Sequence, residues 1–237
     1  MFKLIQTKKV YMQVVEQVRD LIKSGQLKPG DKLPPERILA ERLGVSRPSI
    51  REGIVALESL GLVVSRGGKG NIINEVFDFS FLDNGFKHLE EEESPVELLE
   101  ARKIIEVNVA GYAAQKAQAE DIAEIRKSLE SMNEIVNKLT VPKLNKKYVE
   151  FGYEFHVGIA RATHNTVLLR MTAWLHENLK EDLWIRLQER GWGQSGKNKK
   201  YLKEHEEILT AIQDRNSSIA RKKMRQHITH VQRDLFG

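Results

Sequence analysis

Apolar residues in the first 75 positions recur at helical spacing in three short runs and then give way to a strand-like pair. Val10–Lys23 (VYMQVVEQVRDLIK) sets Val14, Val15, Val18, Leu21 and Ile22 on one stripe, which predicts an amphipathic helix. Ser24-Gly25 ends it, and residues 27–34 (LKPGDKLP) read as a turn-rich connection. A second short helix is predicted from about Pro35 to Leu43, with Ile38, Leu39 and Leu43 on one face; Pro35 suits a first helical position. Gly44-Val45-Ser46 makes a tight turn. Ser46 is a good N-cap for a third helix, Arg47–Leu60, with Pro48 in its permissive first turn and Ile50, Ile54, Leu57 and Leu60 as its buried stripe. After Gly61, residues 62–66, 67–70 and 71–73 read as strand, Gly-rich turn and strand. Three helices followed by a hairpin is the order of a winged helix-turn-helix.

Residues 76–94 show no long period and are taken as a linker with a short helix. From Pro95 onward the pattern is helical almost throughout, with candidate helices at 95–117, 119–139, 144–163, 165–190, 198–214 and 217–235. The expected architecture is therefore mainly α: a winged helix-turn-helix domain over 1–75, the linker over 76–94, and an all-α bundle of six or seven helices over 95–237.

Charge adds a functional clue to this division. The 237-residue chain carries a net charge of +5. Residues 1–75 hold 13 Lys/Arg and 8 Asp/Glu, and the remainder holds 25 of each, so the whole excess sits in the first third. A basic module joined to a neutral one suggests a polyanionic partner for the first part alone. Cysteine is absent, which excludes a disulfide framework, a thiolate metal site and a Cys nucleophile. No apolar run approaches a membrane span and the N-terminus lacks the pattern of a signal peptide, so a cytoplasmic protein without membrane contact is expected.

In a helix-turn-helix the second helix of the pair enters the major groove and reads bases with its N-terminal residues. Here that end carries Arg47, Ser49 and Arg51, the two arginines being four residues apart and so on one face. Arg suits the bidentate O6/N7 edge of guanine. Arg37 opens the supporting helix, and Lys69 sits on the Gly67–Gly70 tip within reach of a phosphate or the minor groove. The stretch LKPGDKLPPERILAERLGVSRPSIREGIVALESLGLVVSRGGKGNII resembles the N-terminal domain of the GntR family of bacterial transcription regulators, and the likeness covers about residues 10–74. The resemblance implies DNA contacts at Arg37 of PPERILA, at Arg47, Ser49 and Arg51 of SRPSIRE, and at Lys69 and Gly70 of the wing. Two departures stand out: Pro35 replaces a frequent capping Ser, and Gly53 replaces the usual Ala at about 1 kcal/mol of helix propensity.

The rest of the chain is similar to the all-helical (FCD) effector-binding domain of the FadR-type branch, through LLEARKIIE (98–106), YEFHVGIARATHN (153–165), EHEEILTAI (204–212) and MRQHI (224–228). This implies a homodimer and a pocket for a small carboxylate effector, an organic or sugar acid. His156, His205 and His227 lie on three predicted helices, where the family places metal ligands. Three imidazoles can hold a divalent ion such as Zn, Ni or Mn. In many relatives an Asp one helical turn before the first His is a fourth ligand; here that position is Gly152, so the usual carboxylate is missing. The other reading of these histidines is a satisfied core without metal. His230, in an HxxH with His227, is an alternative ligand, whereas His88, His164 and His176 match no metal motif and read as surface or packing residues. Arg102 resembles an effector-facing position, with an i,i+4 ion pair to Glu106 as the competing role. Asn165 resembles a polar pocket position, with helix capping as its competitor. Trp174, Trp184 and Trp192 read as core or interface.

These features predict a regulator, with a repressor as the expected sign, whose dimer would present two recognition helices to a near-palindromic double-stranded operator. A metal-dependent hydrolase or a direct metal sensor tethered to DNA is the alternative. The hydrolase has little support: there is no HExxH, and no carboxylate is obviously placed as a general base.

Overall fold

The computed structural model describes residues 9–66, 70–75, 93–136, 141–179, 187 and 197–236, with backbone alone at 66 and 141–146. The described residues divide at Val96 into two compact units. Most of the expected linker, Lys69, His88, Trp184 and Trp192 lie outside the described residues.

In the first unit, α1 (Val10–Lys23) buries Tyr11, Met12, Val14, Val15, Val18 and Ile22, while Leu21 falls at the exposed edge of the stripe. Helix α2 (Glu36–Leu43) starts one residue after Pro35 and ends at Gly44, whose φ of 65° needs no Cβ to be avoided. Helix α3 (Arg47–Ser59) opens on Ser46, whose side chain accepts a hydrogen bond from the Ser49 backbone N–H at 3.2 Å. Val14, Ala40, Ile50 and Ile54 form a small core, with Leu39, Leu43 and Val45 against it. Gly53 has a packing reason that its propensity cost hides. A Cβ there would lie 3.0 Å from Val14 Cγ1 and 3.3 Å from the Tyr11 carbonyl oxygen, so the glycine lets α1 and α3 approach closely.

Strands β1 (Val63–Arg66) and β2 (Gly70–Ile73) pair antiparallel, with Val63 opposite Ile73 and Arg66 opposite Gly70. The segment read as a turn-rich connection contributes a further edge: Lys32 bridges Ile72, Leu33 N–H donates to the Asn71 carbonyl and Ile73 N–H to the Asp31 carbonyl. The wing is thereby tied to the chain between α1 and α2.

The second unit is helical among the described residues: α4 (Pro95–Lys116), α5 (Ala119–Val136), α6 (Val141–Arg161), α7 (Thr166–Asn178), α8 (Lys197–Gln213) and α9 (Ser217–Phe236). Helix α6 lies against both α5 and α7, and α8 against α5. Apolar side chains such as Ile125, Met132, Phe155, Ile159, Ile208, Ile212 and Ile228 fill the interior. Helices α4 and α9 cross at Gly111, where an added Cβ would collide with Arg221; Ser217 Oγ donates to the Gly111 carbonyl there at 2.9 Å. Trp174, expected in core or interface, is exposed within the chain. No helix among the described residues is long and apolar enough to cross a membrane.

Candidate functional site

Six polar residues are buried at the centre of the helical unit: Arg102 and Glu106 of α4, His156 of α6, His176 of α7, His205 of α8 and His227 of α9. Five of them, all but Glu106, line a cavity together with Tyr148, Tyr153, Tyr201 and Gly152. Helical spacing puts each in place: Arg102 and Glu106 are one turn apart on α4, and Gly152 and His156 one turn apart on α6.

His156, His205 and His227 each offer a ring nitrogen, and the three nitrogens lie within 4.8 Å of one another. The Nε2 atoms of His205 and His227 are 3.2 Å apart. That separation can be bridged by one proton, or by one ion, since two ligands ~2.0–2.1 Å from a tetrahedral ion stand about 3.3 Å apart. The outer nitrogens also fit a metal site. His227 Nδ1 meets Glu204 Oε2 at 3.0 Å, and His156 Nδ1 lies 2.7 Å from Glu106 Oε2, though off the hydrogen-bond direction. Carboxylates behind imidazoles orient metal-ligating histidines and raise their basicity. Among the described residues, the buried His205 Nδ1 has no hydrogen-bond partner. The three histidines therefore suit a divalent ion, which would supply Lewis-acid attraction for an anionic ligand.

Glu106, His156 and His176 also lie within coordinating distance of one another. Arg102 makes this second group an ion-pair network: its Nε donates to Glu106 Oε1 at 2.5 Å, and His176 Nε2 meets the same oxygen at 3.0 Å. Burial works against the Glu106 charge, but Arg102 and the two rings beside it hold its carboxyl well below the usual range. Arg102 makes the expected i,i+4 ion pair with Glu106 and also lines the cavity. His230 is a support residue in this arrangement, its Nδ1 on Glu204 Oε1 at 2.6 Å, behind His227. His176, read from sequence as a surface or packing residue, belongs to the cavity wall. Asn165 is corrected to the role of a helix cap, its Oδ1 accepting from the Val167 and Leu168 N–H groups at the exposed start of α7, away from the cavity. His164, as expected, is a surface residue, paired with Asp121 at 3.0 Å.

Burial is the largest influence on all four imidazoles and lowers them: His205 and His227 well below the ordinary range, His156 below it, and His176 to about 3. Burial thus favours the neutral form of each ring. Unfolding restores the ordinary value of 6.5, so below it the unfolded chain takes up more protons than the folded one. Stability is full above that value and declines as pH falls toward the depressed folded values. The Tm of the helical unit is expected to drop from about pH 7 to pH 5, and a His176→Gln variant to drop less. A Tm that does not move over this interval contradicts buried neutral histidines.

In the first unit the residues expected to contact DNA are differently occupied. Arg47 is exposed at the start of α3. Ser49 Oγ is 2.8 Å from Ser46 Oγ, so it shares in the cap. Arg51 is half-buried and grips Glu36 of α2 through Nε and Nη2 at 3.1 and 2.7 Å. Arg37, exposed, pairs with Glu41 one turn on. Gly70 opens β2 at φ 85°, with Lys32 Cε only 3.0 Å from where a Cβ would be.

A winged helix-turn-helix and a helical unit with a buried polar cavity define a DNA-binding transcription regulator. Residues 10–73 match the family described as bacterial regulatory proteins, gntR family, and residues 97–230 match the FCD domain. The chain belongs to the GntR family, in the branch that carries an FCD domain. It is 33% identical to the Uxu operon transcriptional regulator of Escherichia coli (strain K12), over 95% of this chain and 86% of that one. It is likewise 33% identical to the HTH-type transcriptional regulator LutR of Bacillus subtilis (strain 168), over 92% of this chain and 97% of the other. The solved structure of Lar, which controls expression of the Listeria monocytogenes agr system, superposes with a TM-score of 0.50 at 17% identity, over 98% of this chain and 99% of that one; it speaks to the fold alone. These relatives are regulators rather than enzymes, so the hydrolase alternative falls away.

Proposed function

We propose that the chain is a cytoplasmic repressor that binds a near-palindromic operator as a homodimer and is controlled by a small carboxylate effector in the cavity of its helical unit, at a divalent ion held by His156, His205 and His227. The observation that carries this reading is the cavity: three neutral imidazoles converge on one point, two of them backed by carboxylates, beside a buried guanidinium. Such a site attracts an anion, and Arg102 offers the fork that grips a carboxylate. On the DNA, Arg47 and Ser49 read bases, while Arg37, Arg51, Lys69 and Gly70 position the backbone. Control requires the effector to favour one of two arrangements of the dimer by its differential affinity.

The test is operator binding by purified protein. An operator is first selected from randomised DNA, and its affinity is then measured with a panel of organic and sugar acids, with and without Zn²⁺, Ni²⁺ or Mn²⁺. One acid is expected to weaken operator binding by about 5–150-fold. An acid that tightens it reverses the sign and makes the chain an activator or co-repressed regulator. Operator affinity that follows metal alone makes it a metal sensor.

A further inference from the structure

The segment between α1 and α2 is held to the wing as a third strand edge. Gly30 N–H donates to the Ile73 carbonyl, Ile73 N–H to the Asp31 carbonyl and Leu33 N–H to the Asn71 carbonyl, and Lys32 pairs with Ile72. Side chains along such a segment alternate between its two faces. Leu33 is buried, so Lys32 stands on the opposite, exposed face. Val64 and Ile72, opposite each other in the hairpin, share that face with it. Two residues from Ile72, toward the turn end of the hairpin, comes Gly70, the diagonal neighbour of Lys32. Diagonal neighbours lie within reach of a long side chain, and the lysine stem takes this path. A Cβ built on Gly70 would stand 3.0 Å from Lys32 Cε and 3.6 Å from Nζ. The glycine therefore lets the stem lie across β2 and brings the ammonium to the turn end of the wing. Asp31, the adjacent carboxylate, turns back to accept from the Lys28 N–H at 2.7 Å. Arg37 and Arg51 are paired with Glu41 and Glu36. Lys32 has no carboxylate partner among the described residues.

We propose that Lys32 is a DNA phosphate contact of the wing, and that Gly70 serves DNA binding by giving the Lys32 side chain its path. The inference rests on the reading of this wing as part of the DNA-binding face, and adds a residue outside both the recognition helix and the hairpin. A lysine ammonium is a compact point charge that meets phosphate without demanding one orientation. It adds affinity for any duplex and carries no sequence information. The backbone hydrogen bonds around position 32 already fix its Cα against β2, so binding has only the side chain left to order. A methyl group at position 70 would lift the ammonium off the strand.

Fluorescence anisotropy of the full-length protein, on a selected operator and on a scrambled duplex over a series of salt concentrations, tests both parts. Lys32→Met keeps the stem and removes the charge. It is expected to weaken both duplexes by the same factor, about 8-fold per bound chain at about 0.1 M salt, and to make the salt slope shallower by about 0.9 per chain, the value of one released counterion. Lys32→Arg is expected to keep the native affinity and slope. Gly70→Ala is expected to show the loss and the shallower slope of Lys32→Met, and to add nothing when combined with it. Circular dichroism melts establish that each variant is folded. The phosphate contact is overturned if folded Lys32→Met keeps the native affinity and slope, or if it weakens the operator alone. The role of Gly70 is overturned if Gly70→Ala costs as much beside Lys32→Met as it does by itself. Arg47→Ala, titrated alongside, separates this inference from the reading beneath it. Where Arg47→Ala weakens binding and Lys32→Met does not, Lys32 is excluded and the DNA-binding face stands. Where neither does, the face itself is wrongly assigned and Lys32 falls with it.

Discussion

Replacing Arg102 with Met is expected to destabilise the helical unit by about 3–5 kcal/mol, the range found when one partner of a buried ion pair is removed. The expected size comes from burial. Arg102 and Glu106 have side-chain exposures of only 4% and 1%, so solvent neither screens the pair nor takes over its hydrogen bonds. Without Arg102, the Glu106 carboxylate loses the guanidinium that Nε and Nη2 present to it and remains closed in with two neutral imidazoles. It then takes up a proton or draws in water, and either outcome loosens the cavity wall. Arg102→Lys keeps the charge but not the fork and is expected to fall between. The double change Arg102→Met, Glu106→Leu removes both charges and should recover much of the loss, because apolar pairs often replace buried ion pairs without penalty. Urea unfolding followed by tryptophan fluorescence isolates the unit, since all three tryptophans, Trp174, Trp184 and Trp192, lie after residue 97. A shift below about 1 kcal/mol for Arg102→Met would mean that the pair contributes little to stability, leaving Arg102 chiefly a ligand-binding group.

Arg47→Ala is expected to cost about 1–3 kcal/mol per half-site of operator affinity and to relax preference at one base pair. Of the four side chains expected at the DNA and described here, Arg47 is the one whose exposed position at the start of α3 leaves a long cation to reach a base edge. Arg51 differs. Its grip on Glu36 sets it half-buried between α2 and α3, so its positive charge is already partly answered. Glu36→Gln should therefore strengthen binding to unrelated DNA and steepen its salt dependence, as one more cation becomes available to phosphate. Anisotropy titrations on selected operator and scrambled duplex, at several salt concentrations, distinguish these effects. If Arg47→Ala weakens both duplexes equally and only lowers the salt slope, Arg47 is a phosphate contact and base reading must come from elsewhere on α3.

Much of this molecule was legible before its structure. The three N-terminal helices, the cap at Ser46 and the hairpin follow from signals within a few residues of one another. In the second unit the expected helix 95–117 is Pro95–Lys116, and the expected 217–235 is Ser217–Phe236. The motif likeness also picked out His156, His205 and His227, which do converge. Asn165 was the ambiguous case, since a polar residue before a helix serves a cap or a pocket equally well on paper. Its exposure and its two backbone hydrogen bonds decide for the cap.

The features that sequence left open join residues far apart in the chain. Arg51 and Glu36 are 15 residues apart, His176 and Glu106 are 70 apart, and Gly53 is explained only by Val14 and Tyr11 of another helix. His230, an alternative ligand by its spacing, shares Glu204 with His227, a contact that joins α8 to α9. Periodicity, caps and turns act over one or two turns of chain, so most helices and the charge division could be read along it, although the expected helix 165–190 stops at Asn178 and the expected 144–163 is Val141–Arg161. Tertiary structure alone decided which histidines are neutral, which carboxylates are already taken and where a missing side chain opens a space. Those properties depend on burial and on neighbours brought together by folding, and spacing along the chain does not encode them.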